Sequence, residues 1–595
     1  MKNILLLSIC FLNVFTAIGQ TGIPILQGSI INKNTVFSKN TYTFKSNSDL
    51  KSSVLVIAGN NIVLDFSDAT LSGSLNSANP EQFEGLGVLI KNSKNVTLKN
   101  LSIKGYKVAL KIENSDSVQI QNCDFSYNYR PKLFSTFEKN DIRDTLSFEK
   151  NEKNEWFTLG CGVYIQDARA ISIKDCKIKQ GFNGILIHNS SNCLVMNNEI
   201  QFNSGVGVGL YRSSVNDIVH NKLDWTARKQ NAAGILIFEQ SSNNTIARNS
   251  ATHCDKGIWL WAGQETLDTG LGGSNGNYIY ENDCSYAFQN GIETSFSSNN
   301  IVRNKANFCN TGIVASYCSA SVVWSNELKN NQLCAIDMEH PMENIIRNNT
   351  FSQNKIGIKI STRTTQPNFI FIEKKPIDFG LVRVMQNNIS GEPNPFYIDG
   401  VQNVFISGNI LKSFGNLGVL KRENKGFQFE KNIIYQDTAW GDFAQFNKPM
   451  QNMVSKSGNW SFPLNEFGIE PYVPKFIPEG GKSIQLSENQ IIGRDNILIN
   501  AYGAYNFEYP IIVLKKQNGI DLTFEILGQK GEFWQIETHN LAEVETQRGT
   551  FPAILNAKAK DKTTPFGIKL VYVGKEFVTQ FGEKIAKGTT FEFKL

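Results

Sequence analysis

The sequence has 595 residues, and 59 Lys+Arg against 54 Asp+Glu leave a formal charge of only +5. So small a basic excess argues against a nucleic-acid partner, which calls for a strongly basic face or tail. Hydrophobic residues at 41% and charged residues at 19% describe ordinary globular material, neither a disordered chain nor a membrane transporter.

Met1-Lys2-Asn3 is a short basic start, Ile4 to Phe15 is apolar apart from Ser8 and Asn13, and Ala17-Ile18-Gly19 supplies small residues. This pattern predicts a signal peptide over 1–19. The apolar run is too short to span a bilayer, so the expectation is a secreted or periplasmic protein without a membrane span. Leaving out Cys10, nine cysteines remain, an odd number without a C-x-x-C pair and a poor disulfide or zinc framework. None of the five histidines belongs to a short metal-ligand motif.

From Gly162 a short phrase recurs: Gly162-Val-Tyr-Ile165, Gly184-Ile-Leu-Ile187, Gly207-Val-Gly-Leu210, Gly234-Ile-Leu-Ile237, Gly257-Ile-Trp-Leu260 and so on to Gly357-Ile-Lys-Ile360. Successive starts lie 22, 23, 27, 23, 34, 21, 23 and 22 residues apart. A second phrase falls between them, as in Asn216-Asp-Ile-Val-His-Asn221, Asn244-Thr-Ile-Ala-Arg-Asn249 and Asn344-Ile-Ile-Arg-Asn348. Short apolar strands broken by Asn and Gly at a constant period predict an all-β parallel β-helix solenoid over 20–437. The Asn columns (Asn221, Asn249, Asn304, Asn348) read as turn ladders, and Cys254 and Cys309 as small buried stacking residues. Arg248, Arg303 and Arg347 read as one solvated column. A linker is expected over 438–480, and a C-terminal β-sandwich-like accessory domain over 481–595 from runs such as Leu522-Thr-Phe-Glu-Ile526.

The G-I-x-I and N-x-I-x-x-N phrases, over roughly 400 residues, resemble the right-handed parallel β-helix (pectate-lyase-like) superfamily, and the chain looks like its secreted bacterial carbohydrate-active members. The resemblance implies the fold. It leaves the reaction open, because the superfamily includes lyases, dehydratase-like enzymes, hydrolases, epimerases and adhesins. No Asp-Asp pair and no Gly-His-Gly is present, so the pectinase hydrolase assignment does not carry over.

Alternation along each rung sends the first and third residues after the Gly inward and the second and fourth outward. The outward residues then include His188, Tyr211, Trp259, Trp261, Glu293, Asp337 and Glu339, and the turn column that follows holds Arg212, Glu239, Tyr317 and His340. Aromatic rings stack on sugars and polar groups satisfy hydroxyls, which predicts an outer wall for an anionic poly- or oligosaccharide. Loops covering this face and packing on its aromatics are the competing expectation. Insertions supply Arg130 and Arg228, and the 34-residue period supplies Glu265 and Asp268. The leading reading is β-elimination from a uronic-acid glycan (ulvan, alginate or pectin type) by a lyase or dehydratase. Arg130, Arg228 or a Ca²⁺ ion neutralises the carboxylate, and His340, Tyr317 or Tyr211 moves the proton. The alternative is an inverting glycoside hydrolase using Glu293 with Glu239 or Asp337, two rungs apart. The third is a non-catalytic glycan binder. A monomer is expected, and no cofactor beyond the candidate Ca²⁺ is called for.

Overall fold

The structure, a computed structural model, describes residues 22–74, 80–132, 151–228, 231–363, 379–412, 415–435, 437–448 and 451–455, and further on 499–500, 503–504, 511–529, 531–578 and 584–594. The predicted signal segment and residues 456–480 of the predicted linker lie outside them.

The recurring apolar phrases form one strand per turn. Cys161–Gln166, Asn183–His188, Val206–Tyr211, Ala233–Phe238, Lys256–Trp261, Asn290–Ser295, Thr311–Ser316, Cys334–Glu339 and Ile356–Ser361 pair in parallel within a 15-stranded sheet. The Asn-flanked phrases form a 16-stranded parallel sheet, and a third sheet of six strands closes the coil at its later turns. Register is held throughout: Ile235 pairs with Ile258, Ile258 with Ile292, and Ile313 with Ile336. These isoleucines are fully buried and join one continuous axial core. A slip of one residue would turn this column toward water, so the pattern fixes the register.

The turns are tied by side chains. From Asn198 to Asn452 an amide ladder climbs one rung at a time. Asn249 Nδ2, for example, donates to Ile218 O at 2.7 Å and to Asn282 Oδ1 at 3.0 Å, while its own Oδ1 accepts from Asn221. Asn is suited because one side chain both donates and accepts, which satisfies turn groups that the sheets leave over. Asn221, Asn249 and Asn304 belong to this ladder. Asn348 does not; the rung member is Asn349, and Asn348 is the left-handed residue before it. Arg347 likewise is not in register with Arg248 and Arg303: it faces outward from its strand and its guanidinium lies over Trp324, whereas Arg248 and Arg303 both reach Glu281. Cys254 and Cys309 are fully buried, and all nine cysteines after Cys10 are buried free thiols.

Toward the C-terminus, two four-stranded antiparallel sheets face each other. Leu522, Phe524, Ile526 and Leu555 from one and Trp534, Ile568, Leu570 and Tyr572 from the other share a core, giving the sandwich-like second unit.

Candidate active site

The outward face of the 15-stranded sheet has two different halves. In the early rungs Leu186, Tyr211, Leu236 and Phe238 point outward but are buried. The covering piece is the inserted segment before Cys161, which carries helix α1 (Glu155–Leu159). Trp156 is 1% exposed, with its ring 5.4 Å from Tyr211 and 5.9 Å from Phe238. Here the competing expectation holds: the loop covers the face and packs on its aromatics. From Trp259 onward the same positions are half-exposed: Trp259, Trp261, Glu293, Asp337 and Glu339.

Each acid on that open half is already paired. Glu293 accepts from Lys256 Nζ at 2.9 Å and from Asn290 Nδ2 at 2.6 Å, and Lys256 Nζ also lies 3.7 Å from the Trp259 ring centroid. Asp337 pairs with Lys359 at 2.8 Å, and Glu339 takes Arg363 in a two-pronged contact. Sequence reading missed Lys256, although a single Lys in a column otherwise filled by Asn183, Val206, Ala233, Asn290 and Thr311 marks it out.

The turn column behaves differently again. Phe296, Tyr317 and His340 form a ring stack with centroids 4.8 and 4.4 Å apart and planes within 5°. Tyr317 is 3% and His340 0% exposed. His340 Nε2 accepts the Arg363 backbone N–H at 3.0 Å, and burial pushes its pKa down to about 4. These two residues therefore belong to an internal aromatic ladder, not to the outer wall shared by Trp261 and Glu293. Burial also pushes the Tyr317 hydroxyl up to about 12, which makes it a poor proton carrier.

Arg130 and Arg228 are corrected as well. Both are buried, at the opposite border of the sheet, where the strands begin. Arg130 donates to Gln180 Oε1 at 2.5 Å. The Arg228 guanidinium lies over Phe182, and its backbone N–H donates to Asp255, a buried carboxylate that burial raises to about 6. The insertion holding Arg228 precedes its strand and does not wall the open face.

The second insertion does follow a strand end. It carries helix α2 (Gln264–Thr269), with Asp268 exposed and bonded to Gln264. Glu265 of α2 accepts from Arg212 Nη2 at 2.6 Å, and Glu152 lies 3.6 Å from the same nitrogen. Tyr211 donates its hydroxyl to Glu152 at 3.2 Å; burial holds its pKa well above the usual value. Glu239 lies beneath α2, 2% exposed, with Oε1 unpartnered among the described residues. Gly263 packs so tightly on it that a Cβ there would come within 1.7 Å of Oε2. Burial, then the Glu265 charge, raise the Glu239 pKa to about 7, against the opposing pull of Arg212. His188 joins the group from one rung earlier, 5.4 Å from Tyr211 ring to ring. Its Nδ1 lies 3.0 Å from Asn154 Oδ1 and 3.2 Å from the Tyr164 hydroxyl. Burial lowers its pKa, which disfavours the charged imidazolium. Among the described residues, no group of three or more His, Cys, Asp and Glu is placed to hold a metal ion, and no helix is long and apolar enough to cross a membrane.

The family described as right handed beta helix region matches residues 86–251 and 269–375. The chain folds as a parallel β-helix, in keeping with that description, over the matched residues and beyond them. Among solved structures, this β-helix is similar to a double mutant of the periplasmic alginate epimerase AlgG (15% identity, 64% of this chain and 85% of that chain, TM-score 0.37). It is also similar to the A-module of the Azotobacter vinelandii mannuronan C-5 epimerase AlgE6 (9%, 64% and 91%, TM-score 0.38) and to DFA-IIIase from Arthrobacter chlorophenolicus without its lid (13%, 47% and 68%, TM-score 0.33). No curated protein matches the sequence.

Proposed function

We propose that this β-helix protein is a carbohydrate-active enzyme whose reaction centre is the acid cluster of Glu239, Glu265 and Glu152 around Arg212, and that it hydrolyses a glycosidic bond. The observation that carries this is the split between Glu239 and Glu265. One carboxyl is buried and raised to about 7, so that about half of it is protonated at neutral pH, while the other is half-exposed and paired with Arg212. Two carboxyls held in such different surroundings, one buried and one paired with a guanidinium, can supply an acid and a base. Glu239 gives its proton to the leaving oxygen, and Glu265, half-exposed on its loop, activates water. Reaching Glu239 requires α2 to shift with Gly263.

Elimination moves to second place for a charge reason. Arg130 and Arg228, which were to neutralise a uronate, are buried elsewhere, and at the centre Glu152 and Glu265 share the single Arg212. One observation still favours it. If Nδ1–H of His188 donates to Asn154, Nε2 is left as an open base beside Tyr211 and Arg212.

Incubation with pectin, alginate and ulvan oligosaccharides separates the readings. Hydrolysis gives new reducing ends without unsaturated-uronate absorbance, and activity declines as pH rises past about 7, where Glu239 loses its proton. Glu239→Gln abolishes reducing-end release. Undiminished release by that variant removes the assignment, and a rise in ultraviolet absorbance that His188→Ala abolishes selects elimination.

A further inference from the structure

The turn that follows each strand of the 15-stranded sheet has a repeated three-residue form in the early rungs. A left-handed polar residue comes first: Asn92, Asn114, Asp167 and Asn189 on successive rungs, with φ between 47° and 50°. A small buried residue follows, as in Ser93, Ser115, Ala168 and Ser190. These serines form their own ladder, Ser93 N to Ser115 Oγ at 3.1 Å and Ala168 N to Ser190 Oγ at 3.0 Å. The third position holds Asn60, Lys94, Asp116 and Arg169, in register with one another. A small floor between two polar rails makes a groove. The depression there is open to solvent, has a volume of about 730 Å³ and is lined by both rails.

Among the described residues, the side chains of Asn92, Asn114, Lys94 and Arg169 have no hydrogen-bond or ion-pair partner, whereas Asp167 accepts from Asn189 and Asp116 from Ser117. The groups without any such partner are therefore amides and cations; Asp116 and Asp167 also line the groove, each bonded to neutral donors. Rungs about 4.8 Å apart present them at close to the spacing of sugar units in an extended chain.

The groove also has a direction. After Asn189 the next residue in its first rail is Arg212, and Glu239 follows one rung on. There the α2 insertion crosses the border, Glu265 on Arg212, and beyond it the column is filled by the stacked rings of Phe296, Tyr317 and His340. The lining of the track begins at Asn60, and the track is stopped at Glu265.

We propose that this groove is a binding track for an extended oligosaccharide bearing acidic groups, which Lys94 and Arg169 pair, and that it delivers a chain end to the acid cluster. The second half of this proposal rests on the hydrolytic reading above; the first does not. Attack is then exo: the terminal unit or short block lies past Asn189, and about four units occupy the groove.

Binding is measured by calorimetry with oligogalacturonates of two to eight units (carboxylated), carrageenan oligosaccharides (sulfated) and laminari-oligosaccharides (uncharged). Affinity for a charged series should rise with length to about four units and then level off, and should fall steeply with added salt. The double variant K94A/R169A should weaken it at least tenfold with an unchanged melting temperature. Whichever charged series binds identifies carboxylate or sulfate as the group read. No binding by either charged series, equal binding of the uncharged series, or insensitivity to both the double variant and salt overturns the track. Should the variant not fold, the length and salt dependences of the native protein decide. On a polymer that is turned over, a single short product with slowly falling chain length supports end-on delivery, and random mid-chain products overturn it. Binding without any turnover leaves the track standing and removes the hydrolytic reading.

Discussion

The outward positions of Val206–Tyr211 and those of Asn290–Ser295 come from the same repeat, occupy the same register and obey the same alternation, yet one set is dry and the other half-wet. Tyr211 is 0% exposed because Trp156, from an insertion outside the repeat, lies on it. Glu293, whose carboxylate is held by Lys256 and Asn290, keeps partial access to water. Alternation therefore decides the direction of a side chain, and insertions decide whether that direction ends in solvent.

Trp156→Ala puts the largest strain on this comparison. Emptying the covering cluster should cost about 3–5 kcal/mol, read from the urea midpoint, and should expose Tyr211 to quenchers. A loss under about 1 kcal/mol would mean that the covered half stands without its cover. The next effect is on pH. His340 has its folded pKa near 4 against an unfolded 6.5, so between these values the unfolded chain binds a proton that the folded protein does not. Stability should rise as pH goes from 4 to 6.5 and be lost on acidification through that window, and His340→Gln should flatten the slope. A slope unaltered in the variant would place another group behind the acid response. The smallest effect belongs to the open half. Asp337 and Lys359 are both partly solvated, so Asp337→Asn should shift stability by about 1 kcal/mol or less, less still in high salt. A larger shift would show that the open half is also covered in solution.

The coil was legible in the sequence because its signal repeats. Ile258, Ile292 and Ile336 each report the same geometry, so an error at one rung is corrected by the next. The candidate site was only partly legible, because its partners come from different periods of the chain. Glu239 and Arg212 could be read into the turn column, but Glu152 and Gly263 reach them from insertions whose path no periodicity describes. Tyr317 and His340 misled for a related reason. At Phe296, Tyr317 and His340 each ring lies on the next, and this stretch of the turn column closes.

The amide ladder sets a rule for how such a molecule can change size. Asn249 is satisfied by an amide one turn below and another one turn above, so cutting part of a turn would strand polar groups on both sides. Removing or duplicating a complete coil leaves every amide with a neighbour. Within the ladder the protein can thus grow or shrink by whole coils, while the insertions vary on their own.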